Sequence, residues 1–297
     1  MQKRSKSKFL ICATASLASL YSFVSAQTRT VPIVNFKLHE GYVIVIPVTV
    51  NGAGPYEFLL DTGTNTTLVS VEFARSLRLR PVDRIELVTV AGSQIVPRAW
   101  LQSVSVGEKS ATDVEALFSD LREARAVKPE ICGVLGQNFL SQFNYLINYR
   151  ERRIEFEDED EMEKSLRGAR LPIEWNEGRA LITPDGKARL RLVLDSGTPA
   201  MILFNAGARA AGLNWEPGDQ RQFRLNSSAG VRIARQRRLR GFRVGGAEFQ
   251  DLLVTQCEAK DGCEGRAEDG LLPTSLFQRV YFNHRKNFVM FNPKSSG

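Results

Sequence analysis

Residues 58 to 70 read FLLDTGTNTTLVS, and residues 191 to 204 read RLVLDSGTPAMILF. Each stretch runs an apolar strand into a carboxylate, Asp61 or Asp195, then into a hydroxyl residue, a glycine and a second apolar run. Taken singly, such a stretch reads as a turn, because Asp hydrogen-bonds its own backbone and Gly tolerates positive φ. The phrase occurs twice, at an offset of 195 − 61 = 134 residues, and two copies call for one explanation.

Working outward, the flanks keep the same rhythm. Upstream, VPIVNFKLHEGYVIVIPVTVNGAGPYEFLLD has a shortened echo in LPIEWNEGRALITPDGKARLRLVLD; both show alternating apolar residues, a Gly-bearing turn and a strand ending on the carboxylate. Downstream, Ala91-Gly92 matches Ala229-Gly230 as hairpin tips, and Val106-Gly107 matches Val244-Gly245 as a later turn. Further on, GVLGQNFLSQFNYLINYRERRIEF parallels GLLPTSLFQRVYFNHRKNFVMF. Short strands between turn signals predict a mainly β protein made of two homologous halves. Short helices are expected at 71–78 and 205–213, with turns around 137–143 and 273–280.

The N-terminus sets the organisation. Lys3, Arg4, Lys6 and Lys8 precede an uncharged apolar run from Phe9 to Val24, and Val24 and Ala26 occupy the small-residue positions of a cleavage site. Residues 1–26 read as a secretory signal peptide, the apolar run being short against the roughly 20 residues that span a bilayer. The expected organisation is 1–26 signal, 27–164 first half and 165–297 second half, with the acidic run 155–164 as a solvated linker. An exported, periplasmic or secreted protein follows.

The formal charge of +7 includes the four cations of the signal and no acids there, leaving about +3, too little to argue for a nucleic-acid partner. Six arginines between 231 and 243 read as a strand face and are given no function. Three cysteines remain after cleavage; Cys257 and Cys263 can close a small loop in an oxidising compartment, while Cys132 reads as a core thiol. His39 and His284 are the only histidines, and neither lies in a ligand-spaced cluster, so no metal or cofactor is expected. The same scarcity argues against a Ser-His-Asp or Cys-His nucleophile.

Brought face to face, two carboxyl groups cannot both ionise cheaply and share one proton. One then serves as general base on a water while its protonated partner donates to a substrate carbonyl; the handling of a carboxyl dyad in aspartic proteases is the standard example of this effect. Gly63 and Gly197 allow backbone N–H groups close to the carboxylates, and Thr62 and Ser196 can hydrogen-bond across to the opposite half. Hydroxyl donation from Thr64 and Thr198 would lower the carboxyl pKa values and favour an acidic working range.

Asp61-Thr62-Gly63 and Asp195-Ser196-Gly197 resemble the active loops of aspartic proteases of the pepsin and retropepsin superfamily, most of all bacterial retropepsin-like enzymes with two retroviral-type halves in one chain. The match between the two halves extends over essentially all of the chain after the signal. The resemblance implies a bilobal acid-protease fold, two β-barrel-like halves about a pseudo-twofold axis, with Asp61 and Asp195 as the catalytic pair. The family's Gly-apolar-apolar-Gly step, packed beneath each active loop, is matched by Gly133-Val134-Leu135-Gly136. Gly270-Leu271-Leu272 departs from it by ending on Pro273, which puts the packing of the second loop in doubt. By resemblance, the tips Ala91-Gly92 and Ala229-Gly230 are flaps over an extended peptide or protein substrate, and the chain works as a monomer. No Tyr lies near Gly92 as in digestive pepsins, and Trp100 is a poor substitute. An inactive peptide-binding relative of the same fold is the alternative.

Overall fold

Two eight-stranded sheets share one strand order. The first runs, neighbour to neighbour, Lys37–His39, Val43–Val50, Ala53–Leu60, Gly133–Leu135, Thr67–Ser70, Lys109–Ser119, Gly92–Val106 and Asp83–Thr89. The second runs Glu174–Asn176, Arg179–Ile182, Leu192–Asp195, Gly270–Pro273, Met201–Phe204, Leu252–Cys257, Gly230–Leu239 and Arg221–Ser227, each strand holding the place of its counterpart. This is a computed structural model, and it describes residues 32–90, 92–157, 160–185, 190–204, 221–227, 230–257 and 267–295. The signal segment, the helix expected at 205–213, Ala91, Ala229 and Cys263 lie outside the described residues.

The sequence dictates these sheets through strands buried on both faces. In VIVIPVTV (43–50), Ile44, Ile46, Val48 and Val50 enter the main core, while Val43 and Val45 pack on the other face against Leu59, Leu121 and Ile131. Each buried aliphatic side chain contributes about 1.5–3 kcal/mol by leaving water. The turns match as well: Glu40-Gly41 and Glu177-Gly178 both take positive φ, at 51° and 80° and at 50° and 81°, the twist a tight hairpin needs.

In each half one short strand threads between two others. Gly133–Leu135 lies parallel to Ala53–Leu60 and antiparallel to Thr67–Ser70, and Gly270–Pro273 repeats the arrangement. Only glycine fits at its start, because a Cβ on Gly133 would sit 2.2 Å from Phe58 Cε1 and one on Gly270 would sit 2.1 Å from Ile202 O. Pro273 keeps the register of the second loop: as the last residue of its strand it pairs with Asp195, and what proline lacks is only an N–H donor. In the first half the Gly136 N–H donates to Thr67 Oγ1 at 3.4 Å; the matching acceptor position holds Met201, so no donor is needed there.

A third, six-stranded sheet joins the halves, in the order Ile33–Asn35, Arg153–Glu157, Asn144–Asn148, Arg279–Asn283, Phe288–Phe291 and Arg170–Pro172. Its middle pair takes one strand from each half, with Tyr145 opposite Phe282 and their rings stacked at 4.8 Å. Residues 31–297 thus form one compact unit.

The acidic run is not the solvated linker expected of it. Phe156 and Glu157 belong to this sheet, and Glu161–Ser165 is a short helix. Glu157 is buried and accepts from Tyr281 Oη and the Met162 N–H, each at 2.6 Å, while Glu163 is buried beneath Lys286 and Arg170. Partners on the second half compensate these carboxylates, which composition alone could not reveal.

Candidate active site

Asp61 follows the end of Ala53–Leu60 and Asp195 ends Leu192–Asp195, and the residue after each locks the two loops together. Thr62 Oγ1 donates to Leu194 O at 2.8 Å and accepts the Ser196 N–H at 3.0 Å. In exchange, Ser196 Oγ donates to Leu60 O at 2.9 Å and accepts the Thr62 N–H at 3.0 Å. Both hydroxyls are fully buried and fully satisfied. Thr62→Val keeps the shape but strands Leu194 O and the Ser196 N–H. The expected loss is roughly 2 to 5 kcal/mol, read as a lower urea midpoint with unchanged m-value.

The glycines bring the carboxyls together. A Cβ on Gly63 would lie 2.5 Å from Asp195 Cγ, and one on Gly197 would lie 2.9 Å from Asp61 Oδ2, so each glycine presses against the opposite half's carboxyl. Each also donates its own N–H back, Gly63 to Asp61 Oδ1 at 2.8 Å and Gly197 to Asp195 Oδ1 at 2.6 Å. The two carboxyls interact directly with one another.

Burial pushes the Asp61 carboxyl above the usual range, against the pull of the Gly63 N–H, the hydrogen bond from Asp195 and the Thr64 N–H. Asp195 lies well above it, first through burial and then through the negative charge of Asp61; the Gly197 N–H and the Arg179 guanidinium only partly offset this. The pair as a whole therefore holds on to a proton above the ordinary carboxylate range.

The hydroxyls of Thr64 and Thr198 do not serve the carboxylates as expected. They donate to Thr66 O at 3.4 Å and Ala200 O at 3.0 Å, closing the loops on themselves; the Thr64 backbone N–H takes the role instead. The argument for strongly lowered carboxyl pKa values falls with them.

Several supporting residues escaped the sequence reading. Gln137 Nε2 donates to Thr62 O and its N–H to Thr64 O, both at 2.9 Å, so the helix Gln137–Leu140 clamps the first loop from below. In the second half Thr274 follows Pro273 and its hydroxyl bonds the buried Tyr149 Oη at 2.6 Å. Burial, and then the nearby Asp195 and Asp61, hold Tyr149 as a neutral phenol. His284 plays no part as a base: it lies 5.0 Å from the Trp175 ring and 5.3 Å from Tyr145, and burial pushes its imidazole down to about 3.

Above the loops, the hairpin of Asp83–Thr89 and Gly92–Val106 carries Gly92 at its tip, and Ile85 to Val88 border the same cavity as Gly63 and Thr64. Val90, beside the tip, packs on a second-half cluster that includes Leu181 and Val193. The second hairpin pairs Ser227 with Gly230. Trp100 points into solvent, 48% exposed on the outer part of the first hairpin. Cys257 is disulfide-bonded, and Cys132 is a free, partly exposed thiol rather than a core one. Among the described residues no cluster of three or more His, Cys, Asp or Glu could hold a metal ion.

Residues 46–139, which hold the first loop, its hairpin and the threaded strand, match the aspartyl protease family model. Among solved structures, a retropepsin-like aspartic protease from Rickettsia conorii is similar at 17% identity, over 42% of this chain and 87% of that one, with a TM-score of 0.30. No curated protein matches. Over residues 46–139, about a third of the chain, the protein is thus similar to aspartyl proteases.

Proposed function

We propose that the protein is an aspartic endopeptidase that hydrolyses peptide bonds with a water held between Asp61 and Asp195. The observation that supports this reading is the crossed packing of Gly63 on Asp195 and Gly197 on Asp61; carboxyls buried so close favour sharing one proton. Ionised Asp61 takes a proton from the water as its oxygen bonds the scissile carbonyl carbon. Asp195 gives its proton toward the carbonyl oxygen, and a gem-diol forms. Asp61 then gives its proton to the amide nitrogen while Asp195 takes one from a gem-diol hydroxyl; the C–N bond breaks, releasing the amine and a carboxylic acid and restoring the dyad. The substrate lies extended between the loops and the hairpins, and closing hairpins exclude water. Both carboxyls come from one chain, so a monomer suffices.

Export to the periplasm or beyond belongs to the same proposal. The signal-like N-terminus and the disulfide at Cys257 support it, since disulfides persist in oxidising compartments.

The test is cleavage of a mixed peptide pool, with and without a statine inhibitor, by the wild type and by Asp61→Asn and Asp195→Asn. Cleavage blocked by statine and absent in both variants supports the reading; intact peptides throughout contradict it and leave a peptide-binding relative. The pH profile carries its own expectation. Activity needs Asp61 ionised and Asp195 protonated, so kcat/KM rises as Asp61 loses its proton and falls as Asp195 loses its own. With both carboxyls raised by burial, both limbs shift upward relative to the ordinary carboxylate range. A maximum confined below that range contradicts the assignment.

A further inference from the structure

Beside the first catalytic loop, the hairpin of the first half and the Asn176–Arg179 turn of the second enclose a cavity of about 440 Å³. Its buried part is an ion pair in which Arg179 Nη1 and Nη2 donate to Glu268 Oε1 and Oε2 at 3.0 and 3.2 Å, with Glu268 4% exposed. Ile85, Leu87 and Leu117 supply apolar lining. Glu86 of the hairpin and Glu177 of the turn are exposed lining residues. Among the described lining residues three carboxylates therefore face a single guanidinium, a balance of −2; that guanidinium is held by Glu268 and also reaches the largely exposed Glu177 Oε2 at 3.5 Å. The Asn176 Nδ2 in the same lining is out of contact with solvent and has no partner, a donor that a peptide carbonyl would satisfy.

We propose that this cavity takes a Lys or Arg side chain of the substrate, from a residue close to the scissile bond. The inference rests on the peptidase reading above. A long basic side chain lays its methylenes along Ile85, Leu87 and Leu117 and brings its charge to Glu86 and Glu177, the division such side chains favour. An acidic side chain meets the net excess of carboxylates, and that repulsion is what gives discrimination. The counterpart of Arg179 in the first half is Tyr42, in the repeated phrases Glu40-Gly41-Tyr42 and Glu177-Gly178-Arg179. The two sides of the cleft thus differ in character, and the basic preference belongs to one side of the scissile bond.

A peptide that the protein cleaves is resynthesised with Lys, norleucine or Glu at each flanking position in turn, and kcat/KM is measured for each. At one position Lys is expected to exceed norleucine by roughly two- to fivefold, as for partly exposed charge pairs, with Glu lowest. The Lys-to-norleucine ratio falls toward one in Glu86→Gln/Glu177→Gln and in high salt. No preference for Lys anywhere, or a preference the double variant leaves intact, overturns the proposal. If no peptide is cleaved, the peptidase reading fails on its own. Titration calorimetry with reduced-amide versions of the Lys and norleucine peptides then decides the cavity separately, and equal affinities overturn the proposal.

Discussion

Asp195→Asn is expected to lower kcat/KM by roughly 10³-fold or more, the scale of a lost general acid, and at the same time to raise the melting temperature at neutral pH. The opposite signs come from one cause. The folded pKa of Asp195 is raised well above the ordinary value, so its contribution to stability is complete below the ordinary carboxylate range and is lost as pH rises through the folded pKa. Asn carries no charge to bury and its amide can still donate to Asp61. The stability gap between variant and wild type should therefore vanish in strong acid and open with rising pH. Thermal melts across that range, alongside peptide kinetics, check both halves. A variant that is inactive and less stable at every pH would mark Asp195 as a structural residue.

Gly63→Ala should cost about 10²-fold in kcat, the scale of a displacement near 1 Å in a reacting group. The added methyl would lie 2.5 Å from Asp195 Cγ and must drive the carboxyl off its partner. Gly197→Ala makes the mirror contact with Asp61, from 2.9 Å, and should show the same deficit in weaker form. Because the methyl acts on the dyad rather than on the peptide, the loss should fall in kcat with KM little changed. A loss confined to KM would place these glycines on the substrate instead.

The sequence revealed what repeats. Two Asp-hydroxyl-Gly phrases, two Glu-Gly turns and two strands beginning in glycine are local patterns, and local patterns survive in a string of letters. The common strand order of the two large sheets follows from them. What escaped notice depends on contacts across the chain. Glu157 and Glu163 read as solvated until Tyr281, Lys286 and Arg170 arrive from elsewhere in the chain. Thr64 and Thr198 offered donors whose targets are decided by loop geometry, and the loops turn them away from the carboxylates. Pro273 broke the family's step in writing yet fits in space, because Met201 had removed the acceptor that a glycine N–H would serve. Arg179 gave one signal that went unread: it occupies the place of Tyr42 in the repeated turn, where a change of residue between the halves marks the two sides of the cleft as different.

The sharing of one proton between Asp61 and Asp195 is open to direct observation by following the carboxyl carbons of ¹³C-labelled aspartate through a pH titration. One of the two resonances should stay protonated well above the ordinary carboxylate range, and that signal should disappear in Asp195→Asn. Two carboxyls titrating independently, each near the ordinary value and each indifferent to replacement of the other, would contradict the account.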